Sequence, residues 1–170
     1  VKVKNKFSSL SMGLFVLYFG TSCTYDKIAH HTIWLGKRYK ELLKDIFKHK
    51  IIAEDFSLYL HRPTATDETF APKGCDSFYV LSPVPNLSST INWDEIAYDY
   101  GNKIIEALDK TILTGLKRNI QVRFHMTPKD FKSDYLSYLG TGFSTAPLLR
   151  QSAWFRHHNK GESVNNLYLV

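Results

Sequence analysis

Sorted only by hydrophobic and polar positions, the chain breaks into short apolar runs separated by polar turns marked with Pro and Gly. Leu10 to Phe19 is apolar at nearly every residue, the pattern of a strand buried on both faces. His30 to Leu35 (His-His-Thr-Ile-Trp-Leu) reads as a second strand, closed by Gly36. Tyr39, Leu42, Leu43, Ile46 and Phe47 then fall at i, i+3, i+4, i+7 and i+8, one face of a helix, with Lys37, Lys40, Lys44 and Lys48 opposite. Phe56 to His61 alternates as a strand, and Arg62 to Gly74 is a loop punctuated by Pro63, Pro72 and Gly74. Ser77 to Ser82 is the next strand, closed by Pro83 and Pro85. Asn92 and Glu95 form a capping box ahead of a long helix from Trp93 to Leu116, weakened by Gly101 and Gly115. Asn119 to Met126 is a strand, Pro128 opens a short helix through Phe131, and Gly140 and Gly142 bracket a tight turn. Asn166 to Val170 reads as a closing strand. Strands outnumber helices, and several connections are too short for crossover helices. The pattern predicts an α+β fold: a mixed, largely antiparallel sheet with packed helices.

The apolar run at Asn166 to Val170 leads to no turn, and Val1 is not a start methionine, so the 170 residues read as an internal piece of a longer protein. Lys2, Lys4 and Lys6, the run from Leu10 to Phe19, and Gly20-Thr21-Ser22-Cys23 together imitate a signal peptide with a lipoprotein-like cysteine. Phe15, Val16, Tyr18 and Phe19 are strand composition instead, and no helical stretch is long enough to cross a bilayer. Cys23 and Cys75 lie far apart without a CxxC, which suits reduced intracellular thiols rather than a disulfide scaffold. Aromatic residues make up 14% of the chain, enough either to fill a core or to line a long site for an apolar ligand. The net charge of +6 comes mainly from lysines and leaves three readings, an anionic lipid surface, nucleic acid or no partner at all. No basic run interleaves with stacking aromatics in the manner of nucleic-acid binders.

Candidate chemistry is sparse. His30-His31 and His157-His158 invite a metal, but neighbouring side chains on a strand point to opposite faces, so hydrogen-bonding histidines and no metal site are expected. Glu54, Asp55, Asp67 and Asp76 could each act as a base, and no spacing singles out a pair. Gly140-Thr141-Gly142-Phe143-Ser144-Thr145 begins like a dinucleotide fingerprint and fails at Thr145. Ser11, Ser144 and Ser152 sit in no nucleophile elbow. If the strands His30 to Leu35, Phe56 to His61 and Ser77 to Ser82 share a sheet, one alternating face carries His31, Ile33, Tyr59, His61, Tyr79 and Leu81. These are the candidate liners of an apolar substrate site.

Several segments together resemble the bacterial and fungal type of phytoene desaturase, a flavin-dependent carotenoid enzyme family. They are Phe15 to Gly20, Ala29 to Ile33, Ala53 to His61, Ala71 to Asn86 (Ala-Pro-Lys-Gly-Cys-Asp-Ser-Phe-Tyr-Val-Leu-Ser-Pro-Val-Pro-Asn), Gln151 to Arg156 and Asn166 to Val170. The matches cover nearly the whole chain in the family's order. One departure is Ser22-Cys23-Thr24-Tyr25-Asp26, where relatives often carry a basic residue and a proline. The resemblance implies an oxidoreductase of carotenoid biosynthesis that uses FAD to desaturate phytoene toward lycopene, hydride passing to the flavin and a proton departing. It implies that residues 1–165 form most of a substrate-binding domain. Residues 166–170 would be a strand returning to the FAD-binding domain, Val170 standing just before a glycine-rich turn that helps hold the flavin. It further implies a lipophilic polyene as partner and peripheral attachment at the cytoplasmic face of the cell membrane. Alternatives of the same kind are a desaturase or isomerase acting on another polyene, such as a C30 precursor. The alternative of another kind is a non-enzymatic lipid- or carotenoid-binding module.

Overall fold

A computed structural model describes residues 8–156, 158–161 and 164–168. Its elements in chain order are β1 (Gly13–Thr21), β2 (His31–Trp34), α1 (Tyr39–Lys44, continued by a wide turn over Asp45–His49) and β3 (Leu58–His61). There follow β4 (Asp76–Val84), α2 (Trp93–Asp109), α3 (Leu116–Asn119), β5 (Ile120–Met126) and α4 (Pro128–Asp134). The strands form one five-stranded sheet in the order β2-β3-β4-β1-β5. Every pairing in it is antiparallel. The architecture is α+β.

Alternation along the strands decides which side is core. Phe15, Leu17 and Phe19 of β1, Phe78, Val80 and Val84 of β4, and Leu58 and Leu60 of β3 all point to one face. There they meet Trp93, Ala97, Tyr100, Ile104 and Leu108 of α2. Gly101 faces the sheet, where a Cβ would make only ordinary contact, 3.6 Å from both Leu17 and Phe15. Phe15 is the hub, stacking on Trp93 at 5.9 Å and meeting Tyr100 edge-on at 5.0 Å. The Tyr100 hydroxyl, buried with the core, shares a hydrogen bond with Ser82 Oγ at 2.8 Å.

A buried ion pair braces the start of β4. Asp76, 1% exposed, faces Arg62 Nε at 2.9 Å, accepts from the Thr64 hydroxyl at 2.5 Å and from the Tyr25 N–H at 2.7 Å. Arg62 also donates to the Ile28 carbonyl at 2.8 Å.

Several boundaries differ from the sequence pattern. The long helix stops at Asp109 rather than Leu116: turns follow it, Gly115 takes a left-handed conformation (φ 84°) as α3 begins, and the Lys117 N–H is held by Asp109 Oδ1. Asn92 caps α2 by accepting from the Asp94 N–H, while the reciprocal capping box stands at Thr127 and Asp130, opening α4. Pro83 does not close β4 but lies within it, opposite Leu14. It is tolerated because β3 pairs with β4 only as far as Leu81, leaving no strand there to need its missing N–H. Tyr39 and Phe47, placed by spacing on a core-facing stripe, are largely exposed (47% and 43%); Leu42 and Ile46 carry the burial. β1 is buried on both faces only through Val16, and Tyr18 is half-buried. At the proposed closing strand, Tyr168 forms an isolated bridge with Lys160, while Leu169 and Val170 lie outside the described residues. No helix among the described residues is long and apolar enough to cross a membrane.

Candidate functional site

The sheet face turned away from α2 is the candidate site, and strand register builds it. His31 pairs with His61, His61 with Tyr79, Tyr79 with Tyr18, and Tyr18 with Phe124, so one residue from each of the five strands joins a single row. The rings touch in sequence: His31 to His61 at 5.1 Å, His61 to Tyr79 at 4.7 Å, Tyr79 to Tyr18 at 5.9 Å and Tyr18 to Phe124 at 4.5 Å. A parallel row runs Ile33, Tyr59, Leu81, Val16, Met126. On the other side of the ring row stand Ser77, Gly20 and Val122.

The face is open where a globular core would be closed. Phe124 is 59% and Val122 61% exposed. Their polar strand neighbours turn inward instead: Arg123 donates to Asn102 Oδ1 at 2.7 Å and lies over the Tyr98 ring, and His125 stacks on Phe15. The polarity of β5 is thus reversed relative to an ordinary two-layer sheet. A cavity of about 430 Å³ sits over this end, with Tyr18, Gly20, Phe70, Phe78, Val122 and Phe124 among its walls. A second, of about 510 Å³, continues past Tyr18 and Tyr79 to His30 and His61.

The polar end of the row is tightly connected. His30 Nε2 and His61 Nε2 lie 2.7 Å apart, His30 Nδ1 meets the Thr66 hydroxyl at 2.7 Å, and His31 Nδ1 meets the Tyr59 hydroxyl at 2.7 Å. Burial, with the imidazoles of His30 and His31 beside it, pushes His61 below the ordinary histidine range. Burial and then the Tyr59 hydroxyl push the Tyr79 phenol up to about 12. The expectation that adjacent histidines face apart fails here because His30 precedes β2: only His31 obeys strand alternation, and the bend at His30 folds its ring back beside the other two. His157 lies outside the described residues.

The glycine turn near residue 140 does different work from a phosphate cradle. A Cβ on Gly140 (φ 60°) would collide with the Pro128 carbonyl, and one on Gly142 with the Leu14 side chain. Both glycines are close-packing positions, and the turn leads into no helix able to point N–H groups at a pyrophosphate.

Against this geometry, comparison with known proteins is specific. The chain is 50% identical over 165 residues to the neurosporene-forming phytoene desaturase of Rhodobacter capsulatus, covering 94% of this chain and 32% of that protein. It is 44% identical over 173 residues to the lycopene-forming phytoene desaturase of Pantoea ananas, covering 100% and 35%. The chain is a homologue of the phytoene desaturases. A 4,4'-diapophytoene desaturase of Methylomonas stands further off, at 32% identity over 94% of this chain and 31% of its own. The chain spans about a third of the length of the curated relatives it matches. No family model matches it.

In this phytoene desaturase homologue all six residues singled out from the sequence (His31, Ile33, Tyr59, His61, Tyr79 and Leu81) lie on the open face, His31, His61 and Tyr79 in the ring row and the others in the row beside it. Tyr18, Phe70, Val122 and Phe124 were missed. A run apolar at every position hides the two faces of β1, and nothing in the alternation of β5 tells which side is core. Phe70 reaches the cavity from the loop between β3 and β4, which no periodicity describes.

Proposed function

We propose that this chain is the polyene-binding side of an FAD-dependent phytoene desaturase, an oxidoreductase of carotenoid biosynthesis that dehydrogenates phytoene toward lycopene. The observation that carries the reading is the reversed β5, which leaves an aromatic row of five strands' width facing outward next to apolar cavities. An apolar face of this kind needs an apolar cover, and a long hydrocarbon laid across the strands supplies one. The part of the chain in catalysis is then to hold and orient that hydrocarbon and to keep water from the carbons that lose hydrogen. FAD would accept the hydride when bound. The described residues form no cradle for its phosphates, so its grip is assigned to the portion of the relatives' length that this chain does not span. Phytoene is preferred over the diapophytoene substrate because the relatives at 44–50% identity are all phytoene desaturases by name. The same reading places the protein peripherally on the anionic cytoplasmic face of the cell membrane, where its substrate dissolves.

The test is Tyr79→Asp in the full-length enzyme, assayed on phytoene in liposomes with chromatographic analysis of products. A carboxylate forced into an apolar contact costs more than the about 1.4 kcal/mol that corresponds to tenfold in rate, so turnover should fall at least tenfold with the thermal midpoint little changed. Unaltered desaturation would remove Tyr79 from the site and with it this reading of the face.

A further inference from the structure

We propose that His30, His31 and His61 form a binding site for a first-row divalent metal ion, Zn²⁺ by preference. One ligand nitrogen from each of the three histidines lies within 4.8 Å of the others, the outer two rings half-buried and His31 exposed. Register fixes two of them, since His31 and His61 are directly opposed on β2 and β3, and the bend before β2 swings His30 in beside them. Two nitrogens bound to one tetrahedral Zn²⁺ stand about 3.3 Å apart, given Zn–N bonds of about 2.0–2.1 Å. His30 Nε2 and His61 Nε2, at 2.7 Å, need only a small opening to admit the ion.

Outer contacts already aim the ligands. In the metal-ready arrangement the Thr66 hydroxyl donates to the Pro63 carbonyl at 3.3 Å and accepts from His30 Nδ1 at 2.7 Å, which places the imidazole hydrogen on Nδ1. His30 Nε2 is left with its lone pair directed at His61. The Tyr59 hydroxyl meets His31 Nδ1 at 2.7 Å and steadies that ring. Ligating histidines are held through their other ring nitrogen in this manner, such partners contributing about 10–100-fold in affinity, whereas His61 Nδ1 is buried with no hydrogen-bond partner among the described residues. Without metal, the facing nitrogens of His30 and His61 share one hydrogen; with metal, both lone pairs face the ion and the hydrogen of His61 moves to its Nδ1. Imidazole ligands suit Zn, Cu and Ni, and three of them leave a fourth position, here open to the 510 Å³ cavity that also provides the entry path.

The experiment uses the untagged full chain, stripped with chelator and titrated with Zn²⁺ and, as a visible probe, Co²⁺. We expect one equivalent retained through gel filtration and the intense visible bands of four-coordinate Co²⁺. His61→Ala and His30→Ala should each weaken binding at least tenfold, and Thr66→Val should weaken it measurably. Far-UV circular dichroism checks each fold; if His61→Ala is unfolded, His30→Ala, which lies before the strand, decides. Retention below half an equivalent, only the pale spectrum of six-coordinate Co²⁺, or undiminished affinity in folded His30→Ala overturns the site. His31 and His61 also belong to the ring row, so phytoene turnover is read separately and metal retention alone decides this site.

Discussion

Asp76 shows how much one residue can hold in place. Its carboxylate gathers Arg62, Thr64 and the Tyr25 N–H at the edge where β4 begins. Removing one member of a buried pair leaves the other as an uncompensated charge, so Asp76→Ala should lower stability by about 3–5 kcal/mol. Urea denaturation reads this directly, and a loss below about 1 kcal/mol would mean Arg62 finds water instead. Tyr79 makes a second prediction. Its phenol is raised to about 12, so the neutral form is the one the fold favours; its contribution to stability is complete below the ordinary tyrosine pKa of about 10 and is lost as pH rises through about 12. Ultraviolet titration of the protein against Tyr79→Phe should therefore show no phenolate difference at about pH 10.5, where an ordinary tyrosine is mostly ionised. At this scale the sequence was a partial guide. It exposed the alternating residues of three strands, but Asp76 was one of four carboxylates that no spacing singles out, and His30 looked like a strand residue. Both errors have one cause: burial of a polar group and the bend before a strand are set by partners distant in the chain.

The elements were legible where periodicity is strong and illegible where a tertiary contact ends them. β4 stands close to its expected span and α2 begins where expected, whereas the stop of α2 at Asp109 goes with a contact made later in the chain, the Lys117 N–H on Asp109 Oδ1. The most informative element for function, β5, alternates plainly, yet alternation alone cannot say which side faces α2. α1 carries its own prediction. Lys40, Lys44 and Lys48 are exposed, and beside them Tyr39 and Phe47 open onto a groove shared with Leu43, Leu10 and Leu148. Each Lys near an anionic surface contributes about 1 kcal/mol, enough for reversible attachment that salt weakens. Changing all three to Gln should reduce sedimentation of the full-length protein with anionic vesicles at low salt by at least tenfold in affinity. Unchanged binding would assign membrane contact to another surface.

For the whole molecule, the conspicuous fact is a sheet with one face packed by α2 and the other left apolar and open. No phosphate cradle exists among the described residues, and Gly140 and Gly142 are occupied with packing. The purified chain is therefore expected to be colourless, with flavin absorbance well below one equivalent; yellow protein at stoichiometric FAD would contradict the division of labour proposed above. The sheet also ties stability to recognition through parity. Side chains alternate strictly, so sliding β3 by one residue would turn Tyr59 and His61 against α2 and push Leu58 and Leu60 into the open. A one-residue slip therefore cannot disturb the row of rings without simultaneously emptying the core, so the burial that stabilises the sheet also fixes which side the rings face.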